Sequence, residues 1–235
     1  MTGKSALIAG ASGLVGSHCL ARLLDHSQYA RVIAWVRTPL PTTHPKLTQQ
    51  VVEFDRLWEW ADRFDADDVF CCLGTTLKQA GSQEAFTKVD LVYPRELARL
   101  AAQHQARCFL FISALGADPH SYFFYNRVKG EAEQAVREAG IERTYIFRPS
   151  LLLGERREFR AFEWLTQLVG GAIGPWLPGP LAGYRPVPAA SVAAAMVYAA
   201  NSDLPPGVIE SDRIEQLAAS ARDMDEKERK LYERK

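Results

Sequence analysis

The stretch SALIAGASGLVG, residues 5 to 16, combines a short apolar run with three glycines at three-residue intervals. The apolar run predicts a buried strand, and the leucines that follow fall on one side of a predicted helix. A strand that turns through glycines into a helix is typical of dinucleotide-binding crossovers. In that motif Gly10 permits the tight turn, Gly13 lets a pyrophosphate approach the backbone, and Gly16 lets the helix pack closely on the sheet.

The same turn predicts how phosphate would be held. The start of the helix offers free N–H groups and the positive end of the helix dipole. Ser12 can add a hydroxyl donor. A purely structural turn is the alternative interpretation, because glycines punctuate many turns.

The end of the second predicted strand indicates which dinucleotide would bind. NAD-specific sites place Asp or Glu there to accept a hydrogen bond from the ribose 2′-hydroxyl. This chain has Arg37 and then Thr38, in AWVRTP. A guanidinium pairs with a 2′-phosphate, so we expect NADPH or NADP⁺, and a surface arginine at a strand end is the alternative.

The rest of the chain repeats the alternation of strand and helix. Further apolar runs that predict strands are RVIAWVR, QQVVEF, DVFCCLG, RCFLFIS and RTYIFRP. Most are apolar on both faces, as strands buried between two helix layers are. The sequence therefore predicts an α/β fold with a Rossmann-type doubly wound parallel sheet. We predict an NAD(P)-binding core over 1–150, a small substrate-capping segment of the same domain over 151–208, and a charged C-terminal helix or tail over 209–235.

Composition excludes several classes of function. Lysine plus arginine and aspartate plus glutamate both number 28, so no net field attracts nucleic acid or anionic lipid. The longest uncharged apolar run, roughly 186–200, is too short to span a bilayer of about 30 Å. The four cysteines lack metal-ligand spacing and are interpreted as buried thiols in a reducing compartment. With a strand pattern from the first residues and no signal peptide, we expect a cytoplasmic protein without a metal site.

A second stretch, FFYNRVKGEAEQ at residues 123 to 134, carries candidate chemistry. Tyr125 and Lys129 are four residues apart, on one face of the helix predicted after the fifth strand. A phenol has a pKa near 10, and a neighbouring ammonium and an oxidised nicotinamide both favour its phenolate. Tyr122 is a second candidate, but Asn126 stands where its lysine would be.

Ser113, at the end of the fifth predicted strand, can donate a hydrogen bond to a carbonyl oxygen. Lys129 can also donate to ribose hydroxyls. Serine, tyrosine and lysine beside a nicotinamide predict a carbonyl-reduction site, in which the cofactor delivers a hydride and Tyr125 a proton. Asp55, near the end of the third strand, is predicted either to reach the adenine or to cap a helix.

At these residues the chain resembles the atypical short-chain dehydrogenase/reductases, in the branch that contains the Tat-interacting-protein oxidoreductases. The likeness extends over roughly residues 5 to 200. It rests on GASGLVG, on CCLGTT at 71–76 followed by Lys78-x-Ala80-Gly81, on FTKVD at 86–90, on SALGAD at 113–118, on KGEAE in the tyrosine–lysine helix, and on FRPSLLL at 147–153.

The resemblance implies a set of NADPH contacts. The implied cofactor-binding residues are Ser12, Gly13, Leu14, Val15, Arg37, Leu73, Gly74, Leu152 and Arg160. Leu152 would face the nicotinamide and Arg160 would contact a phosphate. Tyr125 matches the family's proton-transfer tyrosine, and Lys129 its ribose-binding lysine. The family often has two serines where this chain has Ser113 and Ala114, so the usual triad is incomplete if the second serine is the carbonyl donor.

The leading hypothesis is an NADPH-dependent oxidoreductase that reduces a carbonyl-type small molecule, with Tyr125 as general acid, Lys129 as its tuner and Ser113 as polariser of the carbonyl. The alternative is an NADPH-binding regulatory or scaffold protein, whose nucleotide-stabilised shape is read by a protein partner. A cofactor-retaining isomerase or dehydratase is a third reading. Relatives with this fold often form homodimers through helices that flank the sheet, but no feature of the sequence fixes such an interface, so the oligomeric state is left open.

Overall fold

The computed structural model describes residues 3–154 and 185–232, with side chains described as far as residue 224. The strands are β1 (Lys4–Ala9), β2 (Tyr29–Val36), β3 (Leu47–Val51), β4 (Asp68–Cys71), β5 (Cys108–Ile112), β6 (Arg143–Arg148), β7 (Leu152–Leu153), β8 (Val187–Pro188) and β9 (Gly207–Glu210). The α-helices are α1 (Leu14–Asp25), α2 (Leu77–Ala80), α3 (Gln83–Thr87), α4 (Tyr93–Gln103), α5 (Phe124–Glu138), α6 (Ala189–Asn201) and α7 (Ser211–Tyr232). A 3₁₀ helix covers Phe54–Arg63, and a single π-helical turn covers Lys88–Val92.

Seven strands form one parallel sheet in the order β3-β2-β1-β4-β5-β6-β9. After β1 the chain adds β2 and β3 on one side of the sheet. It then returns to pair β4 with β1 and adds β5, β6 and β9 on the other side. The order therefore reverses between β1 and β4, and a crevice opens there beyond the carboxyl ends of the strands. The predicted doubly wound α/β fold is confirmed.

Helices cover both faces of this sheet. One core contains α1, α6 and the start of α7, and the other contains the 3₁₀ helix, α4 and part of α5. The central strands β4 and β5 are buried at every position, which explains why β5 is apolar on both sides. The run predicted to be too short for a membrane becomes α6, which is buried against α1 and α7. In the described ranges, no helix has the length and apolar character needed to cross a bilayer.

Two strands of the seven-stranded sheet differ from the sequence prediction. β3 covers Leu47–Val51 and ends before Val52 and Phe54. Both are buried, and Phe54 is the first residue of the 3₁₀ helix. β9 (Gly207–Glu210) was not predicted, because it is short and lies at the edge of the sheet, with Ile209 alone buried. An edge strand of this kind carries almost no periodic signal.

Helix α5 is fixed in place by a close contact at Gly130. A Cβ at this position would lie 2.1 Å from the backbone nitrogen of Pro119 and 2.2 Å from the carbonyl carbon of Asp118. These are backbone atoms of the loop between β5 and α5, so they cannot rotate away as a side chain could. The contact sets the distance between α5 and the carboxyl end of β5.

We therefore predict that Gly130→Ala lowers the free energy of unfolding. Alanine normally stabilises a helix by up to about 1 kcal/mol relative to glycine. Here we expect a loss of about 1–3 kcal/mol, because the added methyl group overlaps the backbone of the 118–119 loop. Urea denaturation followed by circular dichroism measures the change. Gln134→Ala, on the exposed side of the same helix, is the matched control and should change stability little. A Gly130→Ala protein as stable as the wild type would contradict the close-contact account.

Candidate functional site

The glycine-rich turn lies directly on the end of β4. Gly10 has φ +86°, a conformation that favours glycine, and a Cβ there would lie 2.4 Å from the carbonyl oxygen of Cys72. A Cβ at Gly16 would lie 2.0 Å from the carbonyl oxygen of Gly10. Both contacts are with backbone, so side chains at these two positions would push α1 away from the sheet.

The start of α1 suits an anionic ligand. The N-cap residue is Gly13, and no side chain caps the first turn of the helix. The first N–H groups of a helix have no partner within the helix, so they are available to phosphate oxygens here. Leu14 is half-buried and Val15 is buried, and both side chains pack in the core that contains α1.

The crevice at the switch point holds about 600 Å³ of space, part of it open to solvent. Its lining includes six residues that the sequence predicted as cofactor contacts, namely Gly10, Ser12, Gly13, Arg37, Leu73 and Gly74. They come from the ends of β1, β2 and β4, which the fold brings to one edge. An extended dinucleotide fits a crevice of this kind, with its pyrophosphate at the turn.

One end of the crevice carries aromatic and charged groups. Phe54 and Tyr93 line it, with ring centroids 5.6 Å apart, and Arg37 is exposed beside them. Asp55 lies in the 3₁₀ helix, where its carboxylate accepts hydrogen bonds from Lys88 and the Tyr93 hydroxyl at 3.0 Å each. These bonds lower the pKa of Asp55. Burial, helped by Asp55, raises the pKa of Tyr93 to about 12.

Lys129 is outside the crevice lining, where it is buried in an ion pair with Asp90. Its Nζ lies 2.7 Å from Asp90 Oδ1, and the two residues are 4% and 1% exposed. The second carboxylate oxygen of Asp90 accepts a hydrogen bond from the backbone N–H of Thr75 at 2.9 Å. The contact between Lys129 Nζ and Asp90 Oδ1 is an ion pair with a short distance, but its angles are not those of a hydrogen bond.

The ammonium of Lys129 lies next to the cofactor crevice. A Cβ on Gly74, which lines the crevice, would be 3.9 Å from Lys129 Nζ and 3.5 Å from Asp90 Oδ1. Burial opposes the charge on Lys129, but the carboxylate of Asp90 and, to a smaller extent, the nearby Tyr125 outweigh it. The pKa of Lys129 is therefore raised, and the side chain is an ammonium at neutral pH.

Tyr125 is in the first turn of α5, as predicted, and Lys129 follows one turn later on the same face. The Tyr125 side chain is 37% exposed, and its ring packs on Phe86 with centroids 5.5 Å apart. The competing Tyr122 is 94% exposed and precedes the start of α5. The geometry therefore places Tyr125, rather than Tyr122, in register with the lysine.

Ser113 is buried at the end of β5, and its hydroxyl already has an acceptor. It donates to Glu133 Oε1 at 2.6 Å. Glu133 also accepts hydrogen bonds from Arg148 at 2.7 and 2.8 Å and from Arg137 at 2.9 Å. A hydroxyl has one proton to donate, so Ser113 would have to release Glu133 before it could polarise a carbonyl. Its catalytic role stays a prediction.

The remaining candidates are more scattered. Thr38 is exposed next to Arg37 and is outside the crevice lining. Leu152 is half-buried in β7, where it packs against the core that contains α1. Arg160 lies outside the described residues. In the part of the chain that the structure describes, no group of three or more His, Cys, Asp or Glu side chains could hold a metal ion.

Several lining residues were not predicted as site residues. Trp35 and Val36 end β2, and Phe54, Val89 and Tyr93 also line the wall. The strand-end rule could have found Trp35 and Val36, since every parallel strand of the sheet ends at this edge. Asp90 was also missed, because a charged residue in a helical stretch normally predicts a solvent-exposed position. It lies in the π-helical turn, where the usual helical periodicity does not hold.

Comparisons with known proteins agree with this geometry. A family model described as NAD(P)H-binding matches residues 10–203. Protein HTATIP2 of Rattus norvegicus is 36% identical over 222 residues, which cover 93% of this chain and 88% of that protein. The mitochondrial protein fmp52 of Aspergillus niger is 35% identical over 210 residues, or 85% of this chain and 90% of that protein.

Solved structures support the fold. MoeE5 in complex with UDP-glucose and NAD superposes with a TM-score of 0.67 at 17% identity, over 92% of this chain and 81% of that one. At this identity the likeness concerns the fold alone. The resemblance to Tat-interacting-protein oxidoreductases is confirmed by the sequence relatives, and the chain belongs to the NAD(P)H-binding family, in the group that includes HTATIP2 and fmp52.

Proposed function

We propose that this protein is an NADPH-dependent oxidoreductase that reduces a carbonyl group on a small molecule. The observation that carries the proposal is the pairing of Tyr125 and Lys129 on one side of α5, with the lysine ammonium beside Gly74 in the crevice wall. A phenol, an ammonium and a nucleotide-binding crevice at one edge of the sheet are the groups that carbonyl reduction needs.

Each residue has a distinct task in the proposed reaction. When bound, NADPH supplies a hydride to the carbonyl carbon. The Tyr125 hydroxyl transfers its proton to the carbonyl oxygen, so that C=O becomes CH–OH with the electrons balanced. Lys129 stabilises the phenolate that remains and can donate to the ribose hydroxyls. The partly exposed position of Tyr125 leaves its hydroxyl accessible to a substrate.

NADPH, rather than NADH, is proposed from the end of β2. Arg37 and Thr38 follow this strand at the place where NAD-specific sites carry a carboxylate. Arg37 lines the crevice and is exposed, so its guanidinium can form a bidentate pair with two oxygens of a 2′-phosphate. Ser12 and the uncapped start of α1 would hold the pyrophosphate.

A second candidate function is an NADPH-binding regulator with little turnover. It is favoured by the bond between Ser113 and Glu133 and by Ala114, where the resembling family often has a second serine. Both features remove a carbonyl donor from the site. A partner protein would then read the nucleotide-stabilised shape. A homodimer and a cytoplasmic location are further proposals, and the fungal relatives are named as mitochondrial proteins.

We predict that Tyr125→Phe abolishes reduction while NADPH still binds. Loss of the proton donor should lower kcat/KM by about 10²-fold or more. The assay follows NADPH absorbance during incubation with a panel of aldehydes, ketones and quinones. Tyr122→Phe removes a hydroxyl from the exposed neighbouring tyrosine, and it should leave turnover unchanged.

The same assay separates the two candidate functions. Turnover that Tyr125→Phe abolishes supports the oxidoreductase. Tight NADPH binding without turnover on any compound in the panel supports the regulator. Equal turnover by wild type and Tyr125→Phe would contradict the proposed role of the tyrosine.

We also predict that Arg37→Asp reverses the cofactor preference. The substitution replaces a group that attracts the 2′-phosphate by one that repels it, so NADPH binding should weaken at least about tenfold more than NADH binding. Titration of intrinsic fluorescence with each cofactor measures the two dissociation constants. Arg213→Asp makes the same charge change on the exposed side of α7 and is the control. Equal losses for NADPH and NADH would contradict the assignment of Arg37.

A further inference from the structure

The buried pair of Asp90 and Lys129 has no net charge, although it lies beside the crevice. The ammonium and the carboxylate are 2.7 Å apart, and both side chains are almost completely buried. Solvent cannot screen a buried charge effectively, so a partner that stays ionised after the other is removed acts on neighbouring groups with a full unit charge. The pair lies next to Gly74 in the crevice lining, where an added Cβ would be 3.5 Å from Asp90 Oδ1 and 3.9 Å from Lys129 Nζ.

The other groups that face Lys129 do not replace Asp90. Tyr125, on the same helix, and Cys71, on β4, are titratable groups that interact with Lys129. On β5, the ring of Phe111 lies 5.7 Å from Lys129 Nζ. Burial raises the pKa of Cys71 to about 12, so this thiol is neutral. Among these neighbours, Asp90 supplies the negative charge that balances the lysine.

The two oxidation states of a nicotinamide differ by one positive charge on the ring. A site with net positive charge therefore binds the reduced form in preference to the oxidised form, and a neutral site does not make this distinction. We propose that Asp90 sets the relative affinity of this protein for NADP⁺ and NADPH, because its carboxylate cancels the charge of Lys129 beside the nicotinamide.

In this scheme Asp90 is a positioning residue that acts through Lys129. With the ion pair intact, the oxidised cofactor is not repelled, so both forms occupy the crevice. Loss of the carboxylate would favour NADPH and raise the reduction potential of the bound couple, which makes hydride donation less favourable. The inference rests on the proposed function in one respect, namely that Lys129 faces the nicotinamide riboside.

The test compares dissociation constants of NADP⁺ and NADPH for the full chain, measured by calorimetry without substrate. Four proteins are needed: the wild type, Asp90→Asn, Lys129→Met and the double variant. Asparagine keeps the shape of Asp90 and an oxygen that can accept the Thr75 N–H bond. Methionine keeps most of the length of the lysine without its charge.

We expect the ratio of the NADP⁺ to the NADPH dissociation constant to rise on the order of tenfold in Asp90→Asn. A tenfold change corresponds to about 30 mV in the potential of the bound couple. The ratio should fall by a similar factor in Lys129→Met, because an unpaired carboxylate attracts the oxidised ring. In the double variant the pair is again neutral, and the ratio should return to near the wild-type value.

A purely structural role for Asp90 gives a different result. Both cofactors would then lose affinity equally in Asp90→Asn, so the ratio would stay at the wild-type value, and this observation overturns the proposal. A ratio that shifts in Asp90→Asn but stays shifted in the double variant overturns it as well. If Asp90→Asn does not fold, an unchanged ratio in Lys129→Met overturns it as well.

Asp68→Asn is the matched control for loss of a buried carboxylate. Asp68 is fully buried at the amino end of β4, where it pairs with Arg107 at 2.6 Å and accepts a hydrogen bond from Tyr29. Its substitution should lower stability without a change in the ratio, and a shift as large as that of Asp90→Asn would overturn the proposal.

The measurement does not depend on turnover. A shifted ratio in a protein that reduces none of the test compounds supports the inference and contradicts the proposed reductase. An unshifted ratio in an active reductase overturns the inference and leaves the proposed function intact.

Discussion

The carbonyl oxygen of Gly10 occupies space that a Cβ on Gly16 would need, at a separation of 2.0 Å. This contact of backbone with backbone holds α1 against the sheet and seats the turn on the end of β4. The other proposed cofactor contacts follow from this arrangement, because the ends of β2 and β4 can line the same crevice only when the turn lies this close.

Helix α5 brings the chemistry to that crevice through four of its residues. Gly130 lets the helix approach the loop after β5, and Glu133 ties it to the ends of β5 and β6 through buried hydrogen bonds. Lys129 pairs with Asp90 of the π-helical turn, and Tyr125 remains partly exposed. The buried carboxylates of Asp90 and Glu133 therefore fix the helix in place. In the part of the chain that the structure describes, Tyr125 is positioned by these contacts and by its ring packing on Phe86, without a hydrogen bond from its hydroxyl, which suits the proposed proton transfer.

The sequence was sufficient for features that depend on local pattern. The glycine turn, six of the seven strands of the main sheet and the tyrosine–lysine spacing on α5 follow from residues close together in the chain. Asp90 could not be predicted in the same way, since its burial depends on a π-helical turn and on a lysine 39 positions later. The bond of Ser113 to Glu133 joins a strand end to a helix 20 residues on, and no periodicity encodes it. β9 was missed because an exposed edge strand has little apolar signal.

The central claim is that one crevice brings together a nucleotide, the hydroxyl of Tyr125 and the ammonium of Lys129. A crystal structure of the protein with NADP⁺ tests it most directly. We predict the pyrophosphate at the 10–16 turn, the 2′-phosphate against Arg37, and the nicotinamide riboside between Gly74 and Tyr125. A nicotinamide bound away from α5, or a Tyr125 hydroxyl turned out of the crevice, would contradict the account.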